Sequence, residues 1–427
     1  MREEQSIGSK TPGLTAGGQS ATLAINELSR ELENAGNQVF KFGFGQSPFP
    51  VPEEVVEELR AHSAEKDYLP IRGLPSLREE ASAHLERQYG LKGRAQDVLI
   101  GPGSKELMFL LQLALDTDLL IPAPSWVSYA PQARILGRSV HLLPTHLEDD
   151  WRVDPDILDE LCSREPGRSR LLILTDPSNP TGTSHSADQH QELAAVARKH
   201  GIICLSDEIY AGLCYNPGHS SMARWYPEGT VVSTGLSKWC GAGGWRLGVF
   251  QFPAELDWLA DGVAVLASET FTSVSAPVQY AAVRAYQGSE AIDEYLIAAR
   301  RVLSALAARV TERLRAAGVA VADPVGGFYV FPDFGSKATA LESRGITTSS
   351  ELCRRLLDET GVALLPGSSF NLPPTRLTAR LAFVDFDGAV ALEEALRQPA
   401  GELSDAFVDK HLGNTIQGVE RLCEWLG

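Results

Sequence analysis

The most restrictive feature of the sequence is an alternation repeated between residues 98 and 252. Short apolar runs recur at 98–100, 118–121, 139–143, 171–175, 202–206, 230–234 and 247–252, and helical patterns such as 188–200 fit between several of them. Strands this apolar are buried on both faces, and helical crossovers join parallel neighbours. The expectation is an α/β fold with a mainly parallel seven-stranded sheet. Ligands of such sheets collect outside the carboxyl ends of the strands. The polar and aromatic residues of this chain fall there: Pro122-Ala123-Pro124-Ser125-Trp126, Asp176-Pro177-Ser178-Asn179-Pro180-Thr181-Gly182, Asp207-Glu208-Ile209-Tyr210, and Lys238 just beyond the 230–234 run.

Lys238 lies among small residues, and Arg246 follows eight positions later in glycine-rich chain. A crowded lysine at a strand end suits a buried amine that condenses with a carbonyl. A nearby arginine suits a phosphate or carboxylate. The turn Gly101-Pro102-Gly103-Ser104-Lys105 runs straight into an apolar helix. Free backbone N–H groups and the helix dipole favour an anion at such a turn. Its spacing is not that of a P-loop, so a nucleoside triphosphate is not expected.

Outside this region, helical spacing covers 22–35, and Gly45 stands either in a simple turn or where backbone approaches a ligand. A long helical pattern runs from Glu290 to about Ala317. Beyond it, Arg380 interrupts the apolar β-run 378–384. Taken alone, a charged residue in such a run reads more readily as an edge-strand solubiliser than as an inward ligand.

The formal charge of −17 argues against nucleic acid or an anionic membrane as partner. No run approaches a membrane span, and the polar beginning does not read as a signal peptide. Six scattered cysteines suit a reducing compartment, so a cytoplasmic protein is expected. His185 and His190 lack the spacing of a zinc site, and no metal is expected.

In their order along the chain, these motifs resemble the class I/II aminotransferases, the aspartate-aminotransferase-like enzymes of fold type I that depend on pyridoxal 5′-phosphate (PLP). The resemblance covers roughly residues 38–385. It implies a large PLP-binding domain (61–295) and a smaller α+β domain built from 22–60 and 296–427, preceded by a flexible arm (1–21). It further implies that Lys238 carries PLP as an aldimine, that Asp207 pairs with the ring nitrogen, and that Tyr210 and Asn179 bond the ring hydroxyl. By the same resemblance Trp126 stacks on the ring, Gly103, Ser104, Lys105 and Arg246 hold the phosphate, and Arg380 and Gly45 take the substrate carboxylate. Tyr68, and the segment at Thr272 and Ser273 before Gln279, would reach the phosphate of a neighbouring subunit, so a homodimer with composite sites is implied.

Two departures stand out. Gly235 occupies a position where many members carry a phosphate-binding serine, which puts the weight on Ser237. The segment after Gly45 lacks a common acidic residue. The implied activity is transfer of an amino group between an α-amino acid and a keto acid. A PLP enzyme of specialised metabolism performing elimination, oxidation, cyclisation or C–C bond formation would share the same cofactor apparatus. The 37 residues before Gln38 are few for a DNA-binding module.

Overall fold

The computed structural model describes residues 21–427 apart from Pro217. The expected arm therefore lies outside the described residues, except that Ala21 opens the helix Ala21–Asn34. The seven expected strands form one sheet, comprising β2 (Val98–Gly101), β3 (Asp118–Ala123), β4 (Val140–Pro144), β5 (Arg170–Thr175), β6 (Ile203–Asp207), β7 (Thr230–Gly235) and β8 (Gly248–Gln251). Their order is β2-β8-β7-β6-β5-β3-β4, and β8 alone runs against its neighbours. The remaining strands share one direction, so their carboxyl ends meet at one edge. The register sets Thr175, Asp207 and Ser233 side by side there.

The helices form for local reasons. Ala187–His200 opens on a capping box between Ser186 and Gln189 and closes on the left-handed Gly201. Ser104–Ala114 starts directly from Gly103, whose φ of 92° suits glycine alone. Helices cover both faces of the sheet, so that alternate strand residues such as Leu119 and Leu120, or Leu171 and Leu172, are buried in separate clusters.

The long helix Glu290–Ala316 leads away from the sheet. Past it, β9 (Tyr329–Val330), β11 (Leu365–Pro366) and β12 (Ala379–Ala382) form an antiparallel sheet with β12 in the middle, while β1 (Phe40–Lys41) pairs in parallel with β10 (Val362–Ala363). The last two helices, Asp405–His411 and Gly413–Leu426, complete this region. Gly418 lies against the rings of Phe40 and Phe42, so the final helix caps β1. No helix among the described residues is long and apolar enough to cross a membrane.

The position of Arg380 corrects the reading made from that residue alone. It sits on the central strand β12 and is 2% exposed. An edge-strand solubiliser would face water.

Candidate active site

The carboxyl edge of the large sheet opens into a cavity of about 430 Å³, within the usual range for small-molecule sites. Its lining includes Gly45, Ser104, Lys105, Trp126, Asn179, Asp207, Tyr210, Ser237, Lys238, Arg246 and Arg380. Residues separated by more than 300 positions are thus brought to one space by strand ends and by the sheet of β12.

Lys238 follows β7 by three residues. Its Nζ donates to the carbonyl of Gly45 at 2.8 Å and lies over the rings of Tyr210 and Phe328. Burial, reinforced by Arg380, lowers its pKa to about 7, although Asp207 opposes the shift. The group is therefore a substantially neutral amine near neutral pH, able to act as nucleophile or base.

Asp207 closes β6. Its carboxylate accepts from Tyr129 at 2.6 Å and from Ser233 at 3.4 Å. Burial raises its pKa to about 6 against those hydrogen bonds. A cationic nitrogen placed against it would reverse that shift.

Arg380 donates from Nη1 to Asn179 Oδ1 at 3.0 Å and from Nη2 to the carbonyl of Gly43 at 2.7 Å. The rings of Tyr329 and Phe370 lie beside its guanidinium. Its Nε is buried without a hydrogen-bond partner, and no carboxylate pairs with it among the described residues. The amide of Asn179 is oriented by this contact, with its oxygen on Arg380.

At the other end, Arg246 bonds the carbonyls of Gly243 and Pro102, joining the two glycine-rich turns. Its φ of 57° is left-handed, uncommon for a residue with a side chain and a recurrent mark of functional sites. A Cβ on Gly103 would strike its guanidinium. Gly235 has its own reason to be glycine, because a Cβ there would stand 2.7 Å from the carbonyl of Leu247, the residue just before β8. The close approach of β7 to the entry of β8 therefore excludes the more common serine, and the serines lining the cavity are Ser104 and Ser237.

Tyr68 does not join this set within one chain and is 88% exposed. Thr272 and Ser273 also lie off the lining. Gln279 is buried between the N–H of Leu74 and the carbonyl of Val274. Tyr129 and Tyr329 were not singled out in the sequence, yet both line the cavity. Tyr129 supports Asp207, and the Tyr329 hydroxyl meets that of Tyr210 at 2.9 Å.

The reading of His185 and His190 as distant also needs correction, since both contact the buried Asp176. The arrangement is hydrogen-bonded. The N–H of Val153 donates to His185 Nε2, which leaves the ring proton on Nδ1, facing Asp176. A metal on Nδ1 would put a proton on Nε2 against that N–H. Burial opposes the Asp176 carboxylate, but the two imidazoles hold its pKa well below the ordinary value.

Comparison with known proteins gives this geometry its context. The family described as aminotransferase class I and II matches residues 37–390. The chain belongs to this family. An aspartate aminotransferase of Geobacillus stearothermophilus is 32% identical over 387 residues, covering 87% of this chain and 93% of the relative. One from Pinus pinaster is 34% identical over 378 residues, covering 85% and 75%. The solved structure of aspartate aminotransferase from Thermus thermophilus with maleate superposes with a TM-score of 0.83 at 27% identity, covering 98% of this chain and all of that one. The protein is a PLP-dependent aminotransferase of fold type I.

The residues of this aminotransferase suit the cofactor. Four basic side chains and one acid line the cavity: Lys105, Lys238, Arg246 and Arg380 against Asp207. The excess of positive charge is local, in a chain whose net charge is −17. A phosphate at the helix beginning at Ser104 and a carboxylate at Arg380 would offset part of it, while a pyridine nitrogen would face Asp207.

Proposed function

We propose that the chain is an aspartate-type aminotransferase, exchanging the amino group of an acidic 2-amino acid with a dicarboxylic 2-keto acid. The carrying observation is the surplus of unpaired cations at the cavity. Arg380 lacks an anion, and so does Lys105, whose amine lies 5.0 Å from the ring centre of Trp126 with no acid paired to it among the described residues. Burial, reinforced by Arg246, lowers the pKa of Lys105, as expected of a cation waiting for an anion. Arg380 would clamp the α-carboxylate and Lys105 the side-chain carboxylate, beyond its assignment to the phosphate turn. The names of the relatives support this reading, as does the maleate, a dicarboxylate, in the Thermus thermophilus structure.

PLP, when bound, supplies a carbonyl for the amine and an electron sink. Lys238 is the covalent attachment point and afterwards carries the substrate Cα proton on Nζ. Asp207, steadied by Tyr129, holds a proton on the ring nitrogen. Tyr210 and Asn179 would bond the ring hydroxyl, Trp126 would cover the ring, and Gly103, Ser104, Ser237 and Arg246 would hold the phosphate. Gly45 offers its carbonyl to Lys238 and its backbone to the substrate.

The homodimer belongs to the proposal as well. The exposed phenol of Tyr68 lies off the cavity of its own chain, and Trp258 (57% exposed) and Val265 (64%) lie bare on the helix Asp257–Thr270. That helix is tied to the Tyr68 loop by Arg72 and Asp261. Six free cysteines suit a cytoplasmic setting. The division into a large domain (61–295) and a small one (22–60 with 296–427) is proposed on the same footing.

Single-turnover spectra with L-aspartate, L-glutamate and L-2-aminobutyrate test the substrate class. The acidic substrates should react at least about 100-fold more efficiently, because a site built for a charge leaves it unpaired with the neutral analogue. Lys105→Met, assayed with saturating PLP, should remove most of that preference, with a much smaller fall for 2-aminobutyrate than for the acidic substrates. Equal rates for the acidic and neutral substrates would overturn the assignment. Separately, Gly103→Ala should weaken PLP binding at least about tenfold by displacing the Arg246 guanidinium and straining a positive φ. Equilibrium dialysis of the apoprotein with PLP reads this directly.

A further inference from the structure

Away from the cavity, three side chains line up as a sulfur, an imidazole and a carboxylate. Cys214 Sγ lies 3.9 Å from His219 Nδ1, and His219 Nε2 lies 2.9 Å from Glu208 Oε2. Ser221 donates to the other oxygen of Glu208 and fixes it. The imidazole and the carboxylate are almost wholly buried, at 4% and 1% side-chain exposure, and the edge of Tyr89 packs on the imidazole. Nδ1 has no partner other than the sulfur among the described residues. None of the three residues lines the aminotransferase cavity.

We propose that Cys214 is a reactive thiol site for hydroperoxides and other small electrophiles, with His219 as its fixed proton carrier and Glu208 as the group that orients His219. The chemistry follows from the geometry. The sulfur must give up its proton as it attacks, and the imidazole nitrogen at 3.9 Å is placed to take that proton and return it later. Burial works against a charged His219, but the Glu208 carboxylate and the Cys214 sulfur outweigh it and raise its pKa to about 10. With a hydroperoxide, the thiolate sulfur attacks one oxygen, the S–O bond forms and the O–O bond breaks. The departing hydroxide or alkoxide takes the proton from His219 Nδ1 and leaves as water or alcohol. Sulfur is oxidised to the sulfenic acid as the peroxide is reduced.

The other five thiols lack this setting. Cys204, Cys240 and Cys353 are fully buried, and burial raises each thiol pKa far above its ordinary value. Cys162 is buried and also raised. Cys423 is partly exposed like Cys214, but burial pushes it up to about 11.

The test is a competition within the PLP-loaded wild-type protein. Iodoacetamide is applied for increasing times, hydrogen peroxide is applied with dimedone as trap, and peptide mass spectrometry reads all six cysteines. Cys214 should label at least about tenfold faster than Cys423 and should carry the first dimedone adduct. His219→Gln should slow alkylation of Cys214 about tenfold and leave Cys423 unchanged, reflecting the lost imidazolium. Cys423 labelling as fast as Cys214 in the wild type would overturn the proposal. So would an undiminished Cys214 rate in a His219→Gln protein that still binds PLP. The wild-type comparison decides the matter if that variant fails to fold.

Discussion

Lys238→Ala is expected to leave no covalently attached PLP and to lower amino transfer by more than about 10⁴-fold, since attachment and proton carriage are lost together. Intact-protein mass spectrometry after borohydride treatment checks the first effect and steady-state assays the second. A variant that still held PLP covalently would refute the role given to Lys238. The PLP-free protein allows an independent check, because the lysine is buried as an amine whose pKa falls from 10.5 to about 7. Between those two values the unfolded chain binds more protons than the folded one, so stability rises with pH across that window. Burying Lys238 should cost the apoprotein on the order of 5 kcal/mol at or below pH 7 and almost nothing above about pH 10.5. Lys238→Met should therefore stabilise the apoprotein at pH 7, with the gain shrinking towards zero as the pH approaches 10.5. Urea unfolding at pH 7 and pH 10 measures the difference, and a gain independent of pH would contradict a buried, titrating amine.

The sheet was legible because its strands are short and apolar throughout, and few other folds bury such runs. That pattern located the carboxyl edge, and with it Lys238, Asp207 and the 101–105 turn, since each follows a strand within a few residues. The limits appear where tertiary structure decides. Arg380 looked like a solubiliser because an arginine buried without an anion is costly. Its place on β12 makes sense only together with a ligand that the sequence does not contain. Tyr129 and Tyr329 were passed over because buried tyrosines usually belong to a core. Only the 2.6 Å contact of Tyr129 with Asp207, and the meeting of Tyr329 with Tyr210, mark them as parts of the cavity. His185 and His190 looked unrelated along the chain, and it is the turn after β5 that folds Asp176 back between them. Cys214 and His219 are five residues apart in an irregular segment, where spacing carries no geometric meaning.

Arg380 carries the second large effect. Arg380→Ala should lower kcat/KM for L-aspartate about 10³-fold, because a fully desolvated guanidinium–carboxylate contact is worth several kcal/mol when one partner is removed. PLP affinity should fall far less than kcat/KM, since Arg380 does not reach the phosphate turn and touches the cofactor's surroundings only through Asn179. This separation distinguishes carboxylate recognition from a merely structural role, in which PLP affinity, kcat and KM would deteriorate together. Arg380→Lys should recover little, because an ammonium cannot contact Asn179, the Gly43 carbonyl and a bidentate carboxylate from one rigid plane. The apoprotein sharpens the distinction. There the guanidinium is buried without a counter-anion, and burial already lowers its pKa. Its removal should therefore cost the apoprotein much less stability than it costs catalysis. If Arg380→Ala instead unfolded the apoprotein while the remaining folded fraction turned over L-aspartate normally, the arginine would be a packing residue and the carboxylate would have to bind elsewhere.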